Sequence, residues 1–414
     1  MARRIHVIGA GLAGLAASVR LASTGATVAL YEATAQPGGR CRSYLDHATG
    51  MTIDNGNHLL LSANHAALAY LRAIGTEAGL EGPAAAAFSF VDLSTRQRWM
   101  LRFNDGRMPW WILDPRHRVP ETRVADYLRF GRLLWAGYDA PIGERVRCAG
   151  PVYDRLIHPL LLAALNIDPA QGSARLAAQV LRETLAAGGK ACRPLIARHG
   201  LGNVFIEPAI ELLRTRAVAI EMNRELRTLT VRDGAVAELD FGAGRVALGP
   251  QDAVILAVPP NVAAAMVEGL TVPTSFRAIV NAHFRIDPPA GAAPMTGVLN
   301  ATTEWIFAFP GRLAVTISNA DRLLDSPRDE LAAAIWREVA AVMGIDAPLP
   351  AWQIVRERRA TFAATPEQNA QRPGPRTAWK NLFLAGDWTD TGLPATIESA
   401  IRSGNRAAQL ATQA

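Results

Sequence analysis

The hydrophobic pattern at the start of the chain alternates between strand and helix. Arg4–Ile8 and Thr27–Tyr31 are short apolar stretches with β-branched residues, which favour strands. Residues 12–21 lie between them and consist of good helix formers. A strand, a helix and a second strand in this order predict the beginning of a Rossmann-type α/β domain.

Later stretches predict further strands and helices. Residues 202–216 predict a loop that enters a helix, with Pro208 in the first helical turn. Asp233 and Gly234 predict the turn of a hairpin. The other predicted strands are residues 217–225, 226–232, 235–241, 253–258, 278–286, 295–300, 304–309, 312–318 and 381–385, and residues 396–410 predict a last helix. The pattern therefore favours an α/β chain with strands near both ends.

A glycine-rich turn joins the first strand to the first helix. Gly9 permits a tight turn, Gly11 lets the backbone approach a pyrophosphate, and Gly14 lets helix and strand pack closely. The helix start at Leu12 and Ala13 offers free N–H groups and a partial positive charge to phosphates. This context predicts a dinucleotide site.

Two elements after the second strand extend that site. Glu32 is placed to accept hydrogen bonds from an adenosine ribose. The run Gly38-Gly39-Arg40 follows, in which the glycines allow close backbone approach and the Arg40 guanidinium suits phosphate oxygens. At this distance from Glu32, the run resembles the second FAD element of the amine oxidase and phytoene desaturase superfamily.

The end of the chain supports the same resemblance. Leu384-Ala385-Gly386-Asp387-Trp388 resembles the flavin-side motif of FAD oxidoreductases. The resemblance implies that Gly386 and Asp387 contact the ribityl and phosphate region, and that the N–H groups of Thr396 and Ile397 face the pyrimidine end of the flavin. This motif contains no cysteine, so the FAD is expected to be bound non-covalently.

The resemblance also covers two central elements. It implies that Leu226 packs against adenine, although an ordinary core position is an even alternative. It further implies that Gly56 and Asn57 bring backbone close to the flavin. The predicted FAD-binding domain comprises residues 1–62, 195–265 and 375–414, and an interleaved α+β substrate domain comprises residues 63–194 and 266–374. In the substrate domain, helices from the first insert should meet an antiparallel sheet from the second.

Composition excludes several classes of protein. The net charge of +6 comes largely from arginines scattered along the chain, with Lys190 and Lys380 as the two lysines, and no basic cluster forms a nucleic-acid module. No uninterrupted apolar run is long enough for a transmembrane helix. The first predicted strand begins close to Met1, which argues against a cleaved signal. Three widely separated cysteines match no metal or disulfide spacing, so we expect a cytoplasmic protein without a metal.

Within the superfamily, the run from Asp54 to Leu61 resembles the squalene-associated branch, and the chain is most similar to the hydroxysqualene dehydroxylases of hopanoid biosynthesis. Many amine oxidases keep a lysine near the flavin at the strand position that here falls on Asn281 or a neighbour. The resemblance implies that reduced FAD converts a polyprenoid alcohol to its hydrocarbon. An oxidative carotenoid or squalene desaturase, a flavin amine oxidase and a lipid-binding chaperone without FAD are the alternatives.

The reaction needs a proton donor for the departing hydroxyl group. His58 and Asp54 lie in the segment expected beside the flavin, and Asp390 is a third candidate; each has an alternative structural role. Residues 108–138 combine Trp110, Trp111 and Trp135 with many arginines, which predicts contact with a membrane surface. No second nucleotide motif is present, so an external electron donor is expected.

Overall fold

The computed structural model describes residues 3–135 and 137–413, and it contains twenty strands within those residues. The strands in chain order are β1 (Arg4–Ile8), β2 (Thr27–Tyr31), β3 (Ser43–Asp46), β4 (Met51–Asp54), β5 (Leu59–Leu61), β6 (Leu80–Glu81), β7 (Ala87–Asp92), β8 (Arg98–Arg102), β9 (Pro194–Ala197), β10 (Ala219–Glu221), β11 (Thr228–Arg232), β12 (Ala235–Asp240), β13 (Arg245–Ala247), β14 (Ala253–Leu256), β15 (Phe276–Phe284), β16 (Met295–Leu299), β17 (Trp305–Phe309), β18 (Arg312–Ile317), β19 (Trp352–Phe362) and β20 (Leu382–Leu384).

Eleven α-helices lie within the same described residues. They are α1 (Leu12–Ser23), α2 (His65–Ile74), α3 (Val124–Leu128), α4 (Ile142–Arg145), α5 (His158–Leu165), α6 (Ala174–Glu183), α7 (Glu207–Thr215), α8 (Pro260–Met266), α9 (Arg328–Met343), α10 (Pro366–Ala370) and α11 (Ile397–Gln413). None of the helices in this part of the chain is both long and apolar enough to cross a bilayer.

A five-stranded parallel sheet joins the two ends of the chain. Its order is β10-β2-β1-β14-β20, so the last strand lies beside β14 and close to the first. Val7 and Ile255 face α1 and α11, whereas Ile8 and Leu256 face the opposite side, towards the small sheet β11-β12-β13. Because both faces are covered, the central strands are almost wholly apolar. The Rossmann-type α/β class predicted from the sequence is confirmed.

A second sheet has seven strands in the order β19-β15-β18-β17-β16-β7-β8. The expectation of an antiparallel sheet built from the second insert alone is wrong in two respects. Strands β7 and β8 come from the first insert, and β7 pairs parallel to β16. Strand pairing between residues so far apart leaves no local pattern, which explains the error.

The seven-stranded sheet presents two different faces. Val280, Val315 and Ile306 pack with Ile335 and Trp336 of α9 in one apolar core. The alternate residues of the same strands face the other way, towards the parallel sheet. All seven strands lie within residues 63–194 and 266–374, and all five parallel strands lie within residues 1–62, 195–265 and 375–414. The domain boundaries themselves stay a prediction.

Candidate active site

A cavity of about 880 Å³ lies where the carboxyl ends of the parallel strands approach the inner face of the seven-stranded sheet. Most of the residues expected at the cofactor and the reaction centre line it. These are Gly9, Gly11, Leu12, Ala13, Glu32, Gly39, Arg40, Gly56, Asn57, His58, Leu226, Gly386, Asp387, Thr396 and Ile397. Gly14, Asp54 and Asp390 do not line it.

Gly9 and Gly11 of the first turn are glycines for different structural reasons. Gly9 has a φ of +103°, and a Cβ added there would lie 2.4 Å from the carbonyl oxygen of Ala257. A Cβ added at Gly11 would meet nothing within 4 Å, because the space beside it opens into the cavity. Gly9 is therefore required by the fold, whereas Gly11 leaves room for a ligand. Gly14 belongs with Gly9, since its added Cβ would lie 1.8 Å from the Gly9 carbonyl oxygen.

Helices α1 and α11 both begin at the cavity wall. Within the described part of the chain, no side chain caps the start of α1 at Gly11. At α11, Thr396 Oγ1 accepts a hydrogen bond from Ser399 N at 3.1 Å, which leaves the N–H groups of the preceding helical residues for other acceptors. Two helix N-termini at one cavity favour an anionic ligand such as a diphosphate or a reduced flavin.

An ion pair connects the two ends of the chain. Arg40 Nη2 donates to Asp387 Oδ1 at 2.7 Å, and Arg40 Nη1 donates to the Ala360 carbonyl oxygen. The Asp387 side chain is only 9% exposed, whereas that of Arg40 is 43% exposed and lines the cavity. Arg40 is thus anchored while part of its guanidinium faces the space where a phosphate could bind.

The turn that carries Asp387 is held by a residue the sequence analysis missed. Arg372 is buried and donates to the carbonyl oxygens of Asp387 at 3.3 Å and Trp388 at 3.4 Å, and to that of Thr389. Burial lowers the pKa of Arg372 to about 10, which leaves it charged at neutral pH. No motif marks an arginine in this loop, so only the structure identifies it.

Glu32 and Leu226, the two residues expected at the adenosine of the cofactor, both line the cavity. Glu32 Oε2 accepts from Ala10 N at 2.8 Å, and its Oε1 accepts from Thr34 N at 2.9 Å. The carboxylate therefore also fixes the glycine turn. Leu226 is 4% exposed and lies in the connection between β10 and β11.

Asp54 belongs to a buried ion pair. Its Oδ2 accepts from Arg312 Nη2 at 3.0 Å, and its Oδ1 accepts from Ser43 Oγ and from Leu201 N at 2.8 Å. The side chains of Asp54 and Arg312 are 3% and 7% exposed. Because both oxygens are engaged and neither faces the cavity, the structure gives Asp54 a positioning role that ties β4 to β18.

His58 lines the cavity. Burial lowers the pKa of His58 to about 4; the charge of Arg40 lowers it further, whereas Asp54 and Asp387 oppose the shift. The imidazole is therefore neutral at pH 7.

The inner face of the seven-stranded sheet is polar at one end and apolar at the other. Cross-strand pairing places Asn281 beside Thr316 and Glu357 beside Ile279, and all four side chains line the cavity. The strands farther from β19 contribute an apolar lining of Phe88, Phe90, Leu101, Met295, Trp305 and Phe307. The sheet thus offers hydrogen-bonding groups in one strip and aromatic faces in the next.

The polar strip contains a linked cluster of amides and a hydroxyl group. Thr316 Oγ1 donates to Asn281 Oδ1 at 2.8 Å, and Asn57 N donates to the same oxygen at 3.3 Å. Asn281 Nδ2 in turn donates to the Asn55 carbonyl oxygen at 3.4 Å. Thr316 and Glu357 were not predicted as site residues, because their place in the site depends on strand register.

Comparison with known proteins agrees with this architecture. Residues 12–412 match the model of the family described as flavin containing amine oxidoreductase. The chain is 60% identical over 411 residues to a hydroxysqualene dehydroxylase of Rhodopseudomonas palustris (strain ATCC BAA-98 / CGA009), covering 99% of this chain and 98% of the relative. The chain belongs to the hydroxysqualene dehydroxylases of the flavin-containing amine oxidoreductase family. A hydroxysqualene dehydroxylase of Zymomonas mobilis subsp. mobilis is 46% identical, covering 98% of each chain.

Solved structures share the fold of this hydroxysqualene dehydroxylase family member at low identity. Cyclohexylamine oxidase from Brevibacterium oxydans IH-35A superposes with a TM-score of 0.73 at 15% identity, covering 100% of this chain and 99% of the other. Putrescine oxidase bound to putrescine superposes with a TM-score of 0.66 at 17% identity, covering 99% and 98%. The protein is an FAD-dependent oxidoreductase, and the two helix N-termini at the cavity wall, the open space at Gly11 and the anchored Arg40 fit that cofactor.

Proposed function

We propose that the protein catalyses the FAD-dependent reductive dehydroxylation of hydroxysqualene to squalene. The activity named for its relatives points to this reaction. The observation that carries the proposal for this chain is the inner face of the seven-stranded sheet. A narrow strip of hydrogen-bonding groups lies beside an extended apolar lining, which suits a long hydrocarbon that bears a single hydroxyl group.

The reaction consumes one hydride and one proton. The carbon–oxygen bond breaks, a carbon–hydrogen bond forms, and the oxygen leaves as water. Bound FAD in its reduced form supplies the hydride. The chain must therefore orient the carbon, stabilise developing positive charge, exclude bulk water and deliver the proton.

The apolar strip can perform two of these tasks. The rings of Phe90 and Trp305 pack edge to face with centroids 5.6 Å apart, and both side chains line the cavity. Aromatic faces attract a developing cation electrostatically, and the attraction is stronger where water is excluded. We assign Phe90, Trp305 and Phe307 to cation stabilisation and to the binding of isoprenoid units.

We assign proton transfer to His58. It is the candidate that faces the cavity, whereas the Asp54 carboxylate is committed to Arg312 and Asp390 is exposed outside the lining. Because its pKa is about 4, its protonated form is scarce at neutral pH but strongly acidic. The proposal therefore requires a reaction rate that rises as pH falls.

The cofactor contacts proposed from the sequence follow the cavity wall. Gly9, Gly11, Leu12 and Ala13 would hold the diphosphate with Gly39 and Arg40. Glu32 and Leu226 would hold the adenosine end. Gly386 and Asp387 would bind the ribityl chain, and Thr396 and Ile397 the pyrimidine edge, with the backbone of Gly56 and Asn57 beside the ring. The support is that each of these residues lines one continuous cavity.

The test is an anaerobic incubation of chemically reduced holoenzyme with hydroxysqualene, with squalene measured by mass spectrometry. We expect one squalene for each reduced flavin. A chemical reductant replaces the external electron donor that we propose for the cell. No squalene, together with peroxide formation from amines in air, would overturn the proposal in favour of an amine oxidase.

We also propose that residues 108–138 contact a membrane surface from which the substrate enters. Nine large hydrophobic side chains are exposed in the part of the chain that the structure describes, and six of them belong to this segment. They are Met108, Trp110, Leu113, Leu128, Trp135 and Tyr138. The segment also carries five arginines and three acidic residues, an excess of two positive charges, which suits anionic lipid.

The same segment adjoins the cavity. Its Trp111 ring packs edge-on against Phe103 at a centroid distance of 4.7 Å, and Phe103 lines the cavity. The segment thus packs directly against a side chain that lines the substrate space. Flotation with anionic liposomes tests the proposal: wild type should float, Trp110→Ser/Trp135→Ser should float less, and Leu45→Ser, at an exposed site elsewhere, should match wild type. Full recovery of wild type in the soluble fraction would contradict it.

A further inference from the structure

The polar strip of the cavity contains a buried acceptor that has no donor among the residues the structure describes. Asn57 is 7% exposed and lines the cavity, yet its side-chain oxygen Oδ1 accepts no hydrogen bond from them. A buried carbonyl oxygen without a partner is destabilising, because it has lost its hydrogen bond to water and gained none in return. Such an atom at a cavity wall points to a ligand that donates a hydrogen bond.

The surrounding contacts fix which way the Asn57 amide faces. Its Nδ2 lies 3.3 Å from the Val315 carbonyl oxygen, an atom that can only accept. The same nitrogen lies 3.3 Å from Thr316 Oγ1, whose own hydrogen is directed to Asn281 Oδ1 at 2.8 Å. Rotating the amide by half a turn would set its oxygen against these acceptors. The amide nitrogen is therefore held by β18, and the oxygen has no donor among the described residues.

The surroundings of Asn57 indicate what kind of ligand could donate a hydrogen bond to its side-chain oxygen. It lies next to His58, the cavity-facing residue to which proton transfer is assigned. On the sheet, the paired residues Thr316 and Trp305 join the polar strip to the aromatic strip. A ligand group at Asn57 therefore meets hydrogen-bonding atoms on one side and aromatic carbon on the other.

We propose that Asn57 Oδ1 accepts a hydrogen bond from the hydroxyl group of the alcohol substrate, and that Asn281 and Thr316 hold the Asn57 amide in the orientation this requires. Asn57 is then a substrate-binding residue that distinguishes the alcohol from its hydrocarbon product. The same oxygen accepts from the water molecule as it departs. This inference rests on the proposed function, since it takes the alcohol as the substrate.

The consequence is a difference in affinity between substrate and product. Hydroxysqualene satisfies Asn57 Oδ1, whereas squalene leaves it buried and unpaired. One unsatisfied buried polar group corresponds to about a tenfold difference in dissociation constant. The enzyme would therefore release squalene more readily than it releases the alcohol.

The experiment measures dissociation constants of oxidised holoenzyme for hydroxysqualene and for squalene in mixed micelles, from the change in flavin absorbance. Wild type should bind the alcohol about tenfold more tightly than the hydrocarbon. Asn57→Leu should bring the ratio close to one with the flavin content unchanged. Phe88→Leu, at the apolar end of the lining, should weaken both ligands and preserve the ratio.

A ligand analogue provides a second measurement that needs no variant. Fluorine in place of the hydroxyl group has similar size but cannot donate a hydrogen bond. Wild type should bind this fluoro analogue about tenfold more weakly than hydroxysqualene. Equal binding of the two, or an unchanged preference in Asn57→Leu, would overturn the inference. Loss of flavin from Asn57→Leu would overturn it too, because Asn57 would then hold the cofactor.

Failure of this inference is separable from failure of the proposed function. Squalene formation by reduced wild type tests the function without reference to Asn57. If squalene forms and the affinity ratio in wild type is one, the function stands and the hydroxyl site does not.

Discussion

On one side of the cavity, two glycine turns and two helix starts present backbone N–H groups; on the other, the seven-stranded sheet presents side chains. The first wall is built from backbone conformation, so single glycines determine it. The second wall is built from strand register, so its chemistry depends on which residues pairing brings together. Substitutions in the first wall should therefore change cofactor binding, and those in the second should change the handling of substrate.

The largest effect is expected where the two walls are tied together. Asp54→Asn removes one charge of a pair whose side chains are 3% and 7% exposed, leaving Arg312 buried without compensation. We expect a loss of about 3 kcal/mol in the free energy of unfolding, measured with urea. Glu77→Gln breaks the exposed pair with Arg72 and should cost less than about 1 kcal/mol. Equal losses in the two variants would contradict the account of Asp54.

The cofactor wall is tested at Gly11. Gly11→Val places a side chain in the space open to the cavity without meeting protein atoms within 4 Å at its Cβ. We expect the apoprotein to keep its stability while FAD binds about 100-fold more weakly, by titration of the apoprotein. Gly131→Val, at another glycine with open space around its Cβ, should leave FAD affinity unchanged. Normal FAD affinity in Gly11→Val would refute this account of the turn.

The proposed proton donor, His58, is tested through pH. Because the pKa of His58 is about 4, its protonated fraction falls tenfold for each pH unit above that value. Single-turnover rates of the reduced enzyme should therefore fall about tenfold per unit between pH 6 and pH 8. His58→Gln should be slower and should lose this slope. A wild-type rate independent of pH in this range would exclude His58 as the donor.

The smallest effect concerns a partly buried acid beside the substrate wall. Burial raises the pKa of Glu304 to about 7, and its Oε2 accepts from Ser318 N at 2.7 Å. Protonation is favoured in the folded state, so the contribution of Glu304 to stability is complete below pH 4.5 and is lost as pH rises through 7. Between pH 5 and pH 8, wild type should therefore lose about 2.5 kcal/mol of unfolding free energy that Glu304→Gln keeps. Urea unfolding at pH 5 and at pH 8 measures this difference. Glu330 is exposed, so the control variant Glu330→Gln should show the same pH dependence as wild type.

The two walls also differ in how much of each could be predicted from the sequence. Gly9, Gly11 and Glu32 follow from backbone geometry that any dinucleotide turn must satisfy, and the structure brings all three to the cavity. The predicted strands that became β15 to β18 shift by no more than two residues at their ends. These elements are encoded locally, as apolar runs and turn residues.

The substrate wall could not be predicted in the same way. β19 is an eleven-residue strand, but residues 356–359 within it are four consecutive charged residues. Such a run does not have the alternating pattern that predicts a strand. The pairing of β19 with β15 brings Glu357 into the site, and the pairing of β15 with β18 brings Thr316 to Asn281. The unpartnered oxygen of Asn57 is a consequence of those pairings. No local pattern in the sequence carries it.

The most direct test of the account is a stopped-flow experiment that follows flavin absorbance after reduced enzyme is mixed anaerobically with hydroxysqualene. The account predicts oxidation of one flavin per active site, with squalene appearing in equal amount and at the same rate. A flavin that stays reduced, or that is oxidised without squalene being formed, would contradict it.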